Sequence, residues 1–128
     1  MTDLTQCTAT DLLALYRSGE ASPVQATQAV LARIAHLNPR LNAFGWVDEN
    51  AALQSARESE ARWQAHRQTG TEVLPLDGVP VSIKDLILTK AWPTLRGSRT
   101  VDPQQAWDVD ALKCPLHKIT CCYLTHHP

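Results

Sequence analysis

The sequence predicts an α/β arrangement in which helices come first and short extended segments follow. Three stretches between residues 8 and 68 open on a capping side chain and then repeat apolar residues at helical spacing. Further on, Val79, Val81 and Ile83 alternate with Pro80, Ser82 and Lys84, which is the period of a strand. The chain has 128 residues, 44% hydrophobic and 20% charged. That balance suits one small domain, or a piece of a larger one, that buries a core.

The first helix opens at Thr8, with Asp11 three residues on to return the capping bond, and Ser18-Gly19 stops it. Leu12, Leu13, Leu15 and Tyr16 form its apolar face. The second opens at Ser22-Pro23, where Ser22 caps, Pro23 suits the first helical position and Gln25 completes a capping box. Val24, Thr27, Val30, Leu31, Ile34 and Leu37 make its stripe, and Asn38-Pro39 predicts an end near residue 37. Residues 41–47, with Phe44 and Trp46, fit a short strand that Gly45 weakens. Asp48 then caps a third helix to about residue 68, with Leu53, Ala56 and Trp63 on one stripe and Glu58 set to pair with Arg62. Gly70 ends it. The strand over 79–84 follows, with Pro80 confined to its start or to an edge. Residues 89–110 carry Trp92-Pro93, Gly97-Ser98 and Asp102-Pro103, the signals of a long loop.

Charge narrows the function classes. Lys+Arg number 12 and Asp+Glu 13, for a formal charge of −1, and no stretch is basic enough to hold a phosphate backbone or an anionic membrane. Helices over 11–17 and 23–37 superficially resemble a helix-turn-helix DNA reader, but Arg33 is the only base within the second of them. The start at Met1-Thr2-Asp3 has no basic segment leading into an apolar run, so the chain is expected to be cytoplasmic and its cysteines to be free thiols.

Lys84 is the residue with the most chemical promise. On a strand's polar face a lysine is ordinarily a solvated side chain. In a closed site, desolvation would disfavour the ammonium, and the neutral amine could take a proton from a serine hydroxyl. Ser82, two residues away on the same strand face, is expected to lie too far from Lys84 for a direct hydrogen bond. No glycine-rich turn supplies oxyanion donors to Ser82, and it is not expected to be catalytic.

Leu76-Asp77-Gly78-Val79-Pro80-Val81-Ser82-Ile83-Lys84-Asp85, continued by Trp92-Pro93-Thr94-Leu95-Arg96-Gly97-Ser98, resembles the beginning of the amidase signature family. The order of the preceding helices and Asn42-Ala43-Phe44 agrees, and the likeness spans about residues 8–111. The resemblance implies the N-terminal helices and first strands of a mixed α/β sheet flanked by helices. It also implies hydrolysis of the C–N bond of a small or aryl carboxylic amide by a Ser-cisSer-Lys triad, with no metal or organic cofactor. Lys84 of the Gly-Val-Pro-x-x-x-Lys-Asp motif is then the catalytic base. The nearer relative within the family is expected to be a stand-alone amidase, from the loop over 92–98, with the amidotransferase subunit that supplies ammonia to misacylated transfer RNA as the alternative.

The family's Gly- and Ser-rich stretch, which carries the cis-serine, the nucleophile and the oxyanion amides, lies downstream of the lysine and does not occur in this sequence. From Leu112 the sequence ceases to resemble the family and turns rich in cysteine and histidine. Residues 1–111 are therefore expected to be the N-terminal part of an amidase domain, truncated and inactive alone, and 112–128 an unrelated, disordered tail of the kind a frameshift leaves. Such a fragment is expected to self-associate through apolar faces patterned for a larger core, or to act as a non-catalytic interaction fragment. Cys114, His117, Cys121 or Cys122 and His126 or His127 suit zinc by type, but structural zinc sites separate their ligand pairs by about a dozen residues or more, and here only Lys118, Ile119 and Thr120 intervene.

Overall fold

The computed structural model describes residues 2–88, 92–102 and 104 of the chain. Among the described residues the regular elements are three helices: α1 (Ala9–Ser18), α2 (Pro23–Leu41) and α3 (Glu49–Thr69). The local signals that start and stop them are those of the sequence. Thr8 and Asp11 form a capping box on α1, and Ser22 and Gln25 form one on α2. The Asp48 carboxylate accepts from the Ala51 amide at 2.9 Å. Gly19 and Gly70 end α1 and α3 in the left-handed region, each returning its N–H to a carbonyl four residues back.

α2 departs from expectation, since it runs to Leu41 with Pro39 inside it rather than ending near residue 37. Proline in the last turn forfeits a single backbone bond, and the turn is held by its neighbour. Asn38 donates its amide to the Phe44 carbonyl and accepts from the Phe44 N–H, both at 2.9 Å. Its own carbonyl takes the Asn42 N–H at 2.7 Å, with Asn42 left-handed at φ 48°. The same bonds account for the second correction. Residues 42–48 are irregular, and the strand expected over 41–47 does not form, because Leu41 belongs to the helix and the Phe44 backbone is engaged by Asn38. Over 79–84 the chain is not helical, but only Val81 takes a bridge position, so no strand is present among the described residues.

α2 packs along α3, and α1 packs against α3. The packing divides into two clusters. Leu12, Tyr16, Ala26, Trp63 and Val79 bury one, and Leu31, Ile34 and Ala52 bury the other with Val30, Phe44, Val47 and Leu53 against them. Small residues, Ala26 and Thr27 on α2 and Ala52, Ala56 and Ser59 on α3, are fully buried and let the two helices approach closely. Tyr16 and Trp63 meet at 5.9 Å between ring centroids with a 59° tilt, a favoured aromatic arrangement. Arg67 donates to the Tyr16 carbonyl at 2.7 Å and so satisfies the C-terminal turn of α1.

The phenol of Tyr16 is fully buried and donates to the Gly78 carbonyl at 3.1 Å. Burial, and secondarily the Cys7 thiol, push it well above its ordinary value of 10.0. A phenol whose ionisation is harder in the folded chain contributes stability that is complete below its unfolded value and declines as pH rises beyond it. Stability is therefore expected to fall above about pH 10. Tyr16→Phe should remove that alkaline slope while losing about 1 kcal/mol for the Gly78 bond, as read from urea midpoints across the alkaline range.

Candidate active site

The segment bearing Lys84 leaves the helical layer through a turn that α3 holds in place. The Asp77 and Val79 amides bond back to the Leu74 and Leu76 carbonyls, both at 3.1 Å. The Asp77 side chain is fully buried and accepts two hydrogen bonds from Arg62, from Nε at 2.6 Å and from Nη2 at 2.7 Å. A bidentate pair of this kind fixes direction as well as distance, and it raises the guanidinium further above its ordinary range. The Trp63 indole N–H donates to the Asp77 carbonyl at 3.0 Å. Arg62 thus serves the turn, while Glu58, four residues back on its own helix, adds to the rise through its charge and accepts from Gln54 at 3.0 Å.

Gly78 then turns the chain at φ +84°. A Cβ there would meet Ser59 Oγ at 2.6 Å and Pro23 Cγ at 2.7 Å, so the turn lies directly on the α2/α3 seam. Beyond it Val79, Ile83 and Asp85 are buried while Ser82 and Lys84 are exposed. That alternation puts Ser82 and Lys84 on the outward face, as the sequence pattern predicts. The Lys84 ammonium makes no hydrogen bond or ion pair among the described residues, so the enclosed setting that would desolvate it is not formed by them. Beside this segment runs an apolar groove of about 330 Å³, lined in part by Ile34, Leu37, Phe44, Pro80, Val81 and Ser82.

After Lys84 the chain is fastened again. The Lys84 carbonyl accepts from the Ile87 amide at 3.0 Å. Asp85, 2% exposed, accepts from the backbone N–H groups of Leu95 at 2.7 Å and Gly97 at 3.0 Å. These amides belong to a turn closed by Ser98 N–H on the Leu95 carbonyl, with Arg96 and Gly97 both left-handed at φ 54° and 67°. Thr94 donates to the Ile87 carbonyl at 3.2 Å, and the Trp92 indole N–H to the Asp48 carboxylate at 3.2 Å. The Ser98 hydroxyl is engaged with Thr100 at 2.7 Å. Arg62, Asp77, Asp85, Trp92 and Thr94 are the contributors that sequence reasoning did not assign. Of these, Asp85 stood beside the lysine in the motif, and Asp77, Trp92 and Thr94 lay in the segments that resemble the family, whereas nothing in the sequence pointed Arg62 to Asp77.

No group of three His, Cys, Asp or Glu side chains is arranged to hold a metal ion among the described residues. The cysteines and histidines weighed as zinc ligands, and the whole of 112–128, lie outside those residues. Among the described residues no helix is long and apolar enough to cross a membrane.

The Gly78 to Asp85 turn is thus pinned to the helical layer and presents Lys84 outward. The family model for amidases matches residues 25–111, and the chain belongs to that family. It is 44% identical over 99 residues to a glutamyl-tRNA(Gln) amidotransferase subunit of Salinispora tropica, covering 77% of this chain and 19% of that one. The same subunit of Myxococcus xanthus is 44% identical over 99 residues, covering 77% and 20%. Among solved structures, the native peptide amidase of Stenotrophomonas maltophilia superposes with a TM-score of 0.75 at 30% identity, over 94% of this chain and 24% of that chain. A bacterial aryl acylamidase of the amidase signature family shares the fold, with a TM-score of 0.69 at 23% identity over 94% and 25%. The chain therefore spans about a fifth to a quarter of the length of the proteins it matches.

Proposed function

We propose that this chain carries the lysine end of a Ser-cisSer-Lys amidase site, acting on the C–N bond of a small or aryl carboxylic amide, with Lys84 as the base. The observation that carries the reading is the family match over 25–111, which encloses the Gly78 to Asp85 motif, together with the outward placement of Lys84 on a turn fastened at both ends. In the complete reaction a serine attacks the amide carbon, the lysine relays the serine's proton through the cis-serine to the leaving amine, and water hydrolyses the acyl-enzyme. The serines belong to a stretch this sequence does not contain, as does most of the mixed sheet on which the site is built. Residues 1–111 are the amidase part, and 112–128 a segment unrelated to it. The setting is cytoplasmic, and the site needs no metal or organic cofactor.

Alone, the chain is expected to release no ammonia from benzamide or propionamide above background, because it supplies a base without a nucleophile. Leu41, Leu76 and Leu86, all exposed, favour self-association. Ammonia release by the purified chain that Lys84→Ala abolishes would contradict the inactive-fragment reading.

One observation favours a second reading within the family. The curated relatives at 44% identity are amidotransferase subunits, whereas the peptide amidase stands at 30%. On that reading the complete protein would supply ammonia for a misacylated transfer RNA. Ammonia release from glutamine, in preference to benzamide or propionamide, by an assembled enzyme containing this chain would favour it.

A further inference from the structure

We infer that Asp85 is the positioning residue for Lys84, through a carboxylate clasp on the turn formed by Leu95, Arg96, Gly97 and Ser98. This deepens the reading of Lys84 as the base and rests on it. A lysine that is merely solvated needs no buried ionisable neighbour, yet Asp85 is 2% exposed and directly follows an exposed Lys84. A carboxylate taken out of water is costly unless hydrogen-bonded. Here both oxygens are used, Oδ1 by the Leu95 amide at 2.7 Å and Oδ2 by the Gly97 amide at 3.0 Å.

The turn that offers those amides is itself unusual, because a non-glycine residue, Arg96, sits at φ 54° beside Gly97 at φ 67°. Backbone N–H groups in a turn can face one point, a concavity suited to an anion. Asp85 is that anion. With Ile83 buried on one side, Asp85 clasped on the other, and the Lys84 carbonyl accepting from Ile87, the lysine's backbone is restrained on both flanks. What remains free is the side chain, which is the arrangement a proton-transferring group requires.

The test uses the full chain and two readouts, neither of which depends on turnover. The first is hydrogen exchange at the Leu95 and Gly97 amides. The second is the pH profile of Lys84 acylation by 4-nitrophenyl acetate, located by peptide mapping, with Lys113 and Lys118 as internal references. Asp85→Asn, nearly isosteric, should speed exchange at the two amides about tenfold or more, and Asp85→Ala should speed it further. Both should move the Lys84 profile while leaving those of Lys113 and Lys118 in place. Should either variant fail to fold, the wild-type chain still decides the matter, since its Gly97 amide must be protected from exchange. An unprotected Gly97 in the wild-type chain overturns the clasp. Faster amide exchange with an unmoved Lys84 profile overturns the positioning role, whereas turnover that survives Lys84→Ala in an assembled enzyme counts against Lys84 as the base and leaves the clasp readouts standing.

Discussion

Gly78→Ala should lower the stability of the chain by about 2–5 kcal/mol, a large share of the roughly 5–15 kcal/mol that a small domain commands. Two costs combine. The backbone stands at φ +84°, where a Cβ costs about 1–2 kcal/mol. The added methyl would also lie 2.6 Å from Ser59 Oγ and 2.7 and 2.9 Å from the Pro23 ring, and forcing an atom into a packed seam typically costs about 1–3 kcal/mol. Gly70→Ala separates the two costs, since Gly70 is left-handed at φ +73° with nothing within 4 Å of the position a Cβ would take. It should lose only the backbone part. Urea unfolding of the two variants beside the parent chain is the check, and equal losses would mean that the Gly78 turn does not sit on the α2/α3 seam.

The helices were legible because their determinants are local. Thr8 with Asp11, Ser22 with Gln25, and Asp48 act within four residues of themselves, and Gly19 and Gly70 stop helices by their own conformation. The end of α2 was not, because Asn38 holds its last turn by reaching Phe44 across the chain reversal. Arg62 shows the same limit. Spacing offered Glu58 as its partner, and Glu58 does act on it through charge, but the buried Asp77 is the stronger influence, since an exposed helical neighbour contributes only about 0.2–0.5 kcal/mol.

For the site, the alternation from Val79 to Lys84 indicated which side chains face outward, and the motif singled out Lys84. The fastening was hidden. Nothing in spacing shows that the amides of Leu95 and Gly97 return to Asp85, or that Trp92 reaches Asp48. These are contacts between segments 10 to 44 positions apart, set by how the loop folds back and not by any periodicity.

The second large effect concerns chemistry and bears on the claim that this chain supplies an amidase's base. Its measurement is amide turnover by a chimera in which residues 1–111 replace the matching N-terminal portion of the Stenotrophomonas maltophilia peptide amidase, to which the chain is 30% identical. The rest of that enzyme then provides what this sequence lacks. The chimera should hydrolyse the amide substrate of its parent. Lys84→Ala within it should lower kcat by about 10²–10⁴-fold, the range for loss of a positioned general base, with KM little changed because the lysine acts on the proton in flight and not on bound substrate. A Lys84→Ala chimera whose kcat stays within about threefold of the active parent chimera, less than the roughly tenfold that 1.4 kcal/mol represents, would contradict the account.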